Sequence, residues 1–449
     1  KRNKKIYLDY AATTPVDTEV LKVMTQYFMK DFGNAGAIYK EGVFARESLN
    51  NARKSVADIL NARSEEIIFT SGSTESNNLA ITGVIDNPKN LHAITSTIEH
   101  PSVLEVFKAF EKKGLDVTYI GVDESGIVNP KDIKEAIKEN TILVSIIYVN
   151  NEIGTIQPIS EIAKMLRHFR KQNSRFKIQD SELPLFHTDA SQAPLYFFMD
   201  VNKLHVDLMT LGGQKIYGPK GVGCLFKKKE IKLNSIIKGG SQEGGARAGT
   251  ENIPLIVGFA KALELAEVGR EKEIKRLTEL QDYFIDELNK EIPQMKLNGS
   301  MELRSPNNIN IYIPNINGEF FVIILDNYGI ACATRSACKE GDEDEGSYII
   351  EALGHSKERS KSSLRFSLGK TTTKSDIDYV VKILSESVEK YSNKLFKCTK
   401  RKIKWHPNRN QHIWFLNTYN FELYLFFKKV KNDLKSLEKL IMSKNYFQN

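Results

Sequence analysis

Three segments combine residue types that chemistry uses. The first is Phe69-Thr70-Ser71-Gly72-Ser73-Thr74-Glu75-Ser76-Asn77-Asn78, between an apolar run and a helical pattern. Small residues let the backbone approach a ligand closely, and the free N–H groups of a helix start favour an anion, commonly phosphate. An ordinary N-cap is the other reading of such a turn. The second is Phe186-His187-Thr188-Asp189-Ala190-Ser191-Gln192. An Asp at the carboxyl end of a buried strand points into the crevice where α/β proteins bind ligands. Alone, it reads equally well as a structural Asp capping the next segment. The third is Leu211-Gly212-Gly213-Gln214-Lys215-Ile216-Tyr217-Gly218-Pro219-Lys220-Gly221. Glycines around Lys215 allow close approach, and a desolvated Lys loses its proton readily and can form a Schiff base. A Gly/Pro-rich hairpin with a solvent-exposed Lys is the alternative.

These segments need a frame. Short apolar runs at 66–70, 92–95, 117–122, 141–148, 185–188, 207–211 and 221–226 alternate with helical stretches such as 130–139 and 159–171. The alternation predicts a mainly parallel, doubly wound sheet with helices on both faces. A long helical pattern over about 255–288 leaves that sheet. A smaller α+β unit follows, with β-like runs at 308–313 and 319–324 and a closing helix on Ile377, Val381, Leu384 and Val388. Ser375 and Asp378 fit a capping box for that helix. The polar connection 172–184 reads as an exposed loop. The expected organisation is an N-terminal segment 1–16 joining the small domain, a large ligand-binding domain 17–260, a small C-terminal domain 261–394 and an extension 395–449.

Composition excludes several classes. The chain has 449 residues, 41% hydrophobic and 27% charged, a folded balance rather than a disordered or collagenous one. No apolar run approaches the ~20 residues that cross a bilayer. The four cysteines, Cys224, Cys332, Cys338 and Cys398, form no Cys-x-x-Cys pair and no disulfide framework. Reduced thiols in a cytoplasmic protein are expected. The basic opening Lys1-Arg2-Asn3-Lys4-Lys5 is followed by no apolar signal region. The net charge of +8 suggests nucleic acid until its distribution is read. Residues 396–449 carry 12 Lys and Arg against 3 Asp and Glu, so the main body is close to neutral. That extension also holds both tryptophans, Trp405 and Trp414. A helix over 421–443, with Val430, Leu434, Leu437 and Ile441 on one face, is expected to pack on its own domain or a dimer partner. Contact with nucleic acid or an anionic surface is the weaker reading.

If the ligand of the three segments is pyridoxal phosphate, Asp189 can keep its ring nitrogen protonated. The ring is then an electron sink for a carbanion at a substrate's α-carbon. In this order the segments resemble the cysteine desulfurases of the NifS/IscS kind, class V aminotransferases among the fold type I pyridoxal-phosphate enzymes. The resemblance begins at Ile6-Tyr7-Leu8-Asp9-Tyr10-Ala11-Ala12 and runs to about residue 394. It includes Glu99-His100-Pro101-Ser102-Val103, Val149-Asn150-Asn151-Glu152-Ile153-Gly154, Arg247-Ala248-Gly249-Thr250-Glu251-Asn252, Ser336-Ala337-Cys338 and Leu364-Arg365-Phe366-Ser367.

The resemblance implies roles residue by residue. Lys215 matches the lysine that holds the cofactor covalently and then moves protons. Asp189 would pair with the ring nitrogen, while Asn151 and Gln192 would bond the ring hydroxyl oxygen. His100 would stack on the ring and relay protons. Ser73 and Thr74 match the phosphate site at the helix start, which Gln214 would join. Thr250 matches a threonine reaching the phosphate of a second subunit, which implies a homodimer. Arg365 would clamp the substrate carboxylate; seen alone, it reads as a salt-bridged structural Arg. Cys338 resembles the nucleophile that takes sulfur from L-cysteine as a persulfide and leaves alanine. Cys332 reads as core.

Four departures from the family stand out. Gln214 replaces the usual His before the lysine. Gly212 stands where a phosphate-binding Ser is common. The segment Asn34-Ala35-Gly36-Ala37-Ile38-Tyr39 replaces Asn-Pro-Ser-Ser-x-His. Arg335 replaces a Gly, in a loop that continues Lys339-Glu340-Gly341-Asp342-Glu343-Asp344-Glu345-Gly346. This acidic run reads first as a solvated loop; the functional reading is that it guides docking of a basic sulfur acceptor, an iron–sulfur scaffold or a tRNA-thiolation protein. The alternative activities are selenocysteine lyase and aminotransferase. The alternative of another class is a non-catalytic scaffold or RNA-associated relative.

Overall fold

The computed structural model describes residues 5–173, 177–178, 181–335 and 346–399. Cys338, the acidic run after it and the extension beyond 399 lie outside the described residues.

One sheet of seven strands organises the chain. Its order is Ile67–Thr70, Gly223–Lys227, Leu208–Gly212, Leu185–Asp189, Thr141–Ser145, His92–Ser96 and Asp116–Ile120. Gly223–Lys227 pairs antiparallel with both neighbours, and every other pairing is parallel. The sheet is therefore mixed, with a mainly parallel body. Its residues bury on both faces, as helix-covered parallel strands do. Ile67 and Phe69 pack into one core and Ile68 into the other, and Cys224 and Phe226 are likewise separated from Leu225. Period-two alternation divides a continuous apolar run between two layers.

The helix Ile253–Glu291 then runs 39 residues, about 58 Å at 1.5 Å per residue. It carries the chain to an antiparallel sheet of Lys296–Leu297, Asn308–Tyr312 and Ser363–Ser367. Phe284 of the helix meets Phe366 of that sheet edge-on, with centroids 5.4 Å apart. The N-terminal strand Ile6–Tyr7 pairs parallel with Ile330–Ala331. Among the described residues no helix is long and apolar enough to cross a membrane.

Three local expectations need correction. The run 319–324 is rich in Phe, Val and Ile and reads as β, yet it lies in the helix Gly318–Asn327. Asn317 accepts a hydrogen bond from the Phe320 N–H and starts the helix, and Phe321, Ile324 and Leu325 bury one face. The capping box of the last helix is formed by Thr373 and Asp376 instead of Ser375 and Asp378. The Thr373 N–H donates to Asp376 Oδ2 at 3.0 Å and the Asp376 N–H to Thr373 Oγ1 at 3.2 Å. The connection 172–184 holds a small hairpin, Lys177–Ile178 with Ser181–Glu182.

Asp207 fixes two central strands where they begin. Its carboxylate takes Arg170 Nη2 at 2.5 Å, Lys228 Nζ at 2.5 Å and the Phe186 N–H at 2.8 Å. Arg170 and Asp207 are both buried. Asp207→Ala is expected to cost about 3–5 kcal/mol of unfolding free energy, because it strands a buried guanidinium. Urea denaturation measures this; a loss under about 1 kcal/mol would place the pair with exposed bridges.

Candidate active site

The parallel strands deliver their carboxyl ends to one side. Ser73 follows Ile67–Thr70, and His100 follows His92–Ser96. Asn151 follows Thr141–Ser145, Asp189 ends its own strand, and Lys215 closes the turn after Leu208–Gly212. Ligand sites of open α/β sheets form at such ends.

Asp189 is buried and fully engaged. Its Oδ2 accepts from Asn77 Nδ2 at 2.7 Å, and its Oδ1 accepts from the Ser191 hydroxyl at 2.5 Å and the Ser191 N–H at 2.9 Å. Asn77 also donates to Ser102 Oγ at 2.8 Å. The Ser102 hydroxyl lies 2.8 Å from His100 Nδ1, which accepts the Ser102 N–H at 3.1 Å. An accepting Nδ1 places the proton of the neutral ring on Nε2. Asn77 and Ser102 thus join Asp189 to His100. Sequence reading assigned neither residue a role; both lie inside the quoted segments, and only the fold shows that they meet.

Lys215 Nζ donates to the Ala11 carbonyl at 2.5 Å and the Ala12 carbonyl at 3.0 Å. Gln192 Nε2 donates to the same Ala11 carbonyl at 2.9 Å. The N-terminal segment therefore reaches the lysine. It also reaches Arg365, whose Nη2 donates to Asp9 Oδ1 at 2.7 Å. Arg365 Nη1 donates to the Asn151 carbonyl at 2.9 Å, and its Nε is buried without a hydrogen-bond partner among the described residues. Asn151 Oδ1 is buried and unpartnered in the same sense. Asp9 is a further residue that the sequence did not single out.

At the start of the helix Ser73–Val84, Gly72 is the N-cap and gives no side-chain cap. The Ser73 hydroxyl is buried without a hydrogen-bond partner among the described residues, whereas Thr74 is exposed. Gln214 is held by its carbonyl, which accepts from the Thr14 N–H at 2.9 Å. Thr250 lines a cavity of about 200 Å³ with Thr70, Ser71, Gly221 and Arg247, beside the turn that leads to Ser73. Cys332 is in the core, and burial pushes its thiol up to about 12. Arg335 forms an ion pair with Glu319 at 3.4 Å.

Comparison with known proteins bears on this arrangement. The family model for aminotransferase class-V matches residues 6–380. A cysteine desulfurase IscS of Dictyoglomus turgidum is 43% identical over 389 residues, which cover 86% of this chain and 95% of that one. One of Methanosarcina thermophila is 43% identical over 393 residues, with 87% and 94% covered. A solved NifS-like protein superposes with a TM-score of 0.78 at 31% identity, covering 86% of this chain and all of the other. The structure titled SspA in complex with cysteine gives a TM-score of 0.69 at 33% identity, with 81% and 99% covered.

Two titratable groups near Asp189 are shifted toward their neutral forms. Burial pushes the Glu99 carboxyl up to about 8; hydrogen bonds from Ser96 and Ile147 oppose the shift and the Asp189 charge adds to it. Burial pushes His187 down to about 4 against the pull of Asp189. Between about 4.5 and 8 the folded state keeps a Glu99 proton that the unfolded chain has lost, so stability falls as pH rises through that window. His187 gives the opposite slope between about 4 and 6.5, where only the unfolded chain binds the proton. Glu99→Gln is therefore expected to gain stability relative to the parent as pH rises from about 5 to 8. Denaturant midpoints across that range measure the difference; a flat difference would mean that Glu99 folds ionised.

Proposed function

The chain belongs to the aminotransferase class-V family, and from that membership we propose a cysteine desulfurase that uses pyridoxal phosphate to transfer sulfur from L-cysteine to Cys338. The observation that carries this is the convergence of Lys215, Asp189 and His100 at the strand ends, in a chain 43% identical to an IscS over 86% of its length.

The residues present fit the cofactor. An uncapped helix start and the buried, unpartnered Ser73 hydroxyl suit a phosphate. The Asp189 carboxylate suits a protonated ring nitrogen. None of the hydrogen bonds it accepts among the described residues comes from a cation. Lys215 would hold the cofactor, Asn151 and Gln192 would contact its ring hydroxyl, and His100 would cover its face. Ser73, Thr74 and Gln214 would take the phosphate, joined by Thr250 of a second copy in a homodimer.

When bound, the cofactor withdraws electrons from the substrate's α-carbon and weakens the Cβ–S bond. The chain's own groups do the rest. Arg365 binds the substrate carboxylate, and its unpartnered Nε–H gives it a donor beyond those held by Asp9 and Asn151. Lys215 moves the proton at the α-carbon. His100, with Nδ1 fixed as an acceptor by Ser102, presents Nε2–H as its movable proton. The Cys338 thiolate attacks the substrate sulfur, and the Cβ–S bond breaks as the S–S bond forms. The electron pair left on the carbon side takes up a proton, so alanine departs and Cys338 retains a persulfide. Supply of that sulfur to iron–sulfur cluster assembly or tRNA thiolation follows, through an acceptor protein in the cytoplasm. We assign the large domain to 17–260, the small domain with Cys338 to 261–394, and the extension to 395–449.

The test is to purify the protein, record its visible spectrum, and assay alanine and sulfide after adding L-cysteine. Lys215→Ala is expected to lose the cofactor band. Cys338→Ala is expected to keep the band and lose at least about 100-fold in sulfide release. Full activity in Cys338→Ala would redirect the reading to another class-V reaction, and a protein that takes up no cofactor would redirect it to a scaffold.

A further inference from the structure

Gly212 ends the strand that leads to Lys215, where the resembling family commonly has a phosphate-binding Ser. Its φ of −134° and ψ of 135° are ordinary extended values that any residue adopts. Backbone freedom therefore does not explain the glycine; space does. A Cβ built on Gly212 would lie 2.1 Å from Ser73 Oγ and 3.5 Å from Ser73 Cβ. The Ser73 hydroxyl thus occupies the volume that a side chain at 212 would fill. That hydroxyl is buried and has no hydrogen-bond partner among the described residues. It stands in the first turn of a 12-residue helix whose N-cap, Gly72, supplies no side chain to the free N–H groups. Gln214 Oε1 lies 3.3 Å from the same built Cβ, so the Gln214 amide borders this volume as well.

We propose that the phosphate hydroxyl of this site has moved between elements: Ser73, at the helix start, supplies the hydrogen bond that residue 212 supplies elsewhere, and Gly212 is the space that admits it. The inference rests on the cofactor reading above and names the residue that binds its phosphate. A buried hydroxyl without a partner is costly, and an anion at the helix start would satisfy it together with the first-turn N–H groups. A side chain at 212 would force Ser73 to another rotamer, so the two positions hold one hydroxyl between them.

The experiment titrates pyridoxal phosphate into cofactor-free full-length protein and reads the dissociation constant from the absorbance of the bound cofactor. Pyridoxal, which lacks the phosphate, is titrated in parallel. Ser73→Ala is expected to weaken pyridoxal phosphate by at least about tenfold, the worth of a hydrogen bond to a charged group, and to leave pyridoxal unchanged. Gly212→Ala should weaken it similarly with Ser73 present, and should add nothing in the Ser73→Ala background. Ser73→Ala combined with Gly212→Ser should recover to within about threefold of the parent, because the hydroxyl returns from the other side. A double variant as weak as Ser73→Ala, or an equal loss for pyridoxal, would overturn the exchange. Parent protein that binds no pyridoxal phosphate would overturn the cofactor reading itself, whereas tight binding unaffected by Ser73→Ala overturns only the hydroxyl's role.

Discussion

The site depends on keeping one negative charge in a buried place. Taking a carboxylate out of water costs several kcal/mol unless hydrogen bonds replace its hydration. Asp189 recovers that cost from three donors that the fold brings to it, the Asn77 amide and the hydroxyl and N–H of Ser191. Its neighbours are arranged not to compete. His187, two residues earlier on the same strand, is neutral and bonded sideways to Ser145 and Thr210. Burial pushes the Glu99 carboxyl up to about 8, which disfavours a second negative charge there. Among the described residues, the hydrogen bonds that Asp189 accepts all come from neutral donors. Such a carboxylate favours a cation placed against it, as the proposed pairing with a protonated ring nitrogen requires.

The second constraint is the N-terminal segment, which belongs to no large element and yet holds several groups together. The Leu8 N–H donates to the Ala331 carbonyl and the Leu8 carbonyl accepts from the Ser367 N–H, so residues 6–7 run beside Ile330–Ala331 and the chain meets the end of the Arg365 strand at Leu8. From there Asp9 pairs with Arg365, and the Ala11 and Ala12 carbonyls receive Lys215 and Gln192. A few consecutive residues thus set the distance between the lysine at one sheet and the arginine at another. Two backbone carbonyls hold Lys215 Nζ in place. A group that takes the lysine's nitrogen must draw it from these acceptors. The same segment therefore positions the amine.

Much of this frame is legible in the chain. Each strand of the main sheet is visible as an apolar run because helices cover both faces, which leaves little polar alternation to confuse it. The ends of those strands mark Asp189 and Lys215 for the same reason. What the chain does not reveal is pairing across distance. Arg365 and Asp9 are separated by nearly the whole length, and Asn77 meets Asp189 through the sheet. Neither spacing carries a local signal, so Asp9, Asn77 and Ser102 stay silent until the fold exists. The run at 319–324 fails for the opposite reason. Its local β preference is clear, but a single Asn317 cap and the burial of Phe321 and Leu325 outweigh it.

Gly212 shows why position-by-position reading misjudges a site. Along the chain, glycine in place of serine is a loss of one hydroxyl. In space, the question is which atoms fill the volume beside the helix start, and Ser73 fills it from an element more than a hundred residues away. The two residues share no sequence neighbourhood, but they share a boundary set by strand Leu208–Gly212 lying one strand from Ile67–Thr70 in the sheet. A phosphate reads donors by direction and distance and has no means of reading the element that bears them. The proposed exchange is therefore one between the ends of two parallel strands separated by Gly223–Lys227, with the hydroxyl count and the open N–H groups kept. Gln214 borders the same volume, with its side-chain oxygen 3.3 Å from the position of a Cβ at 212.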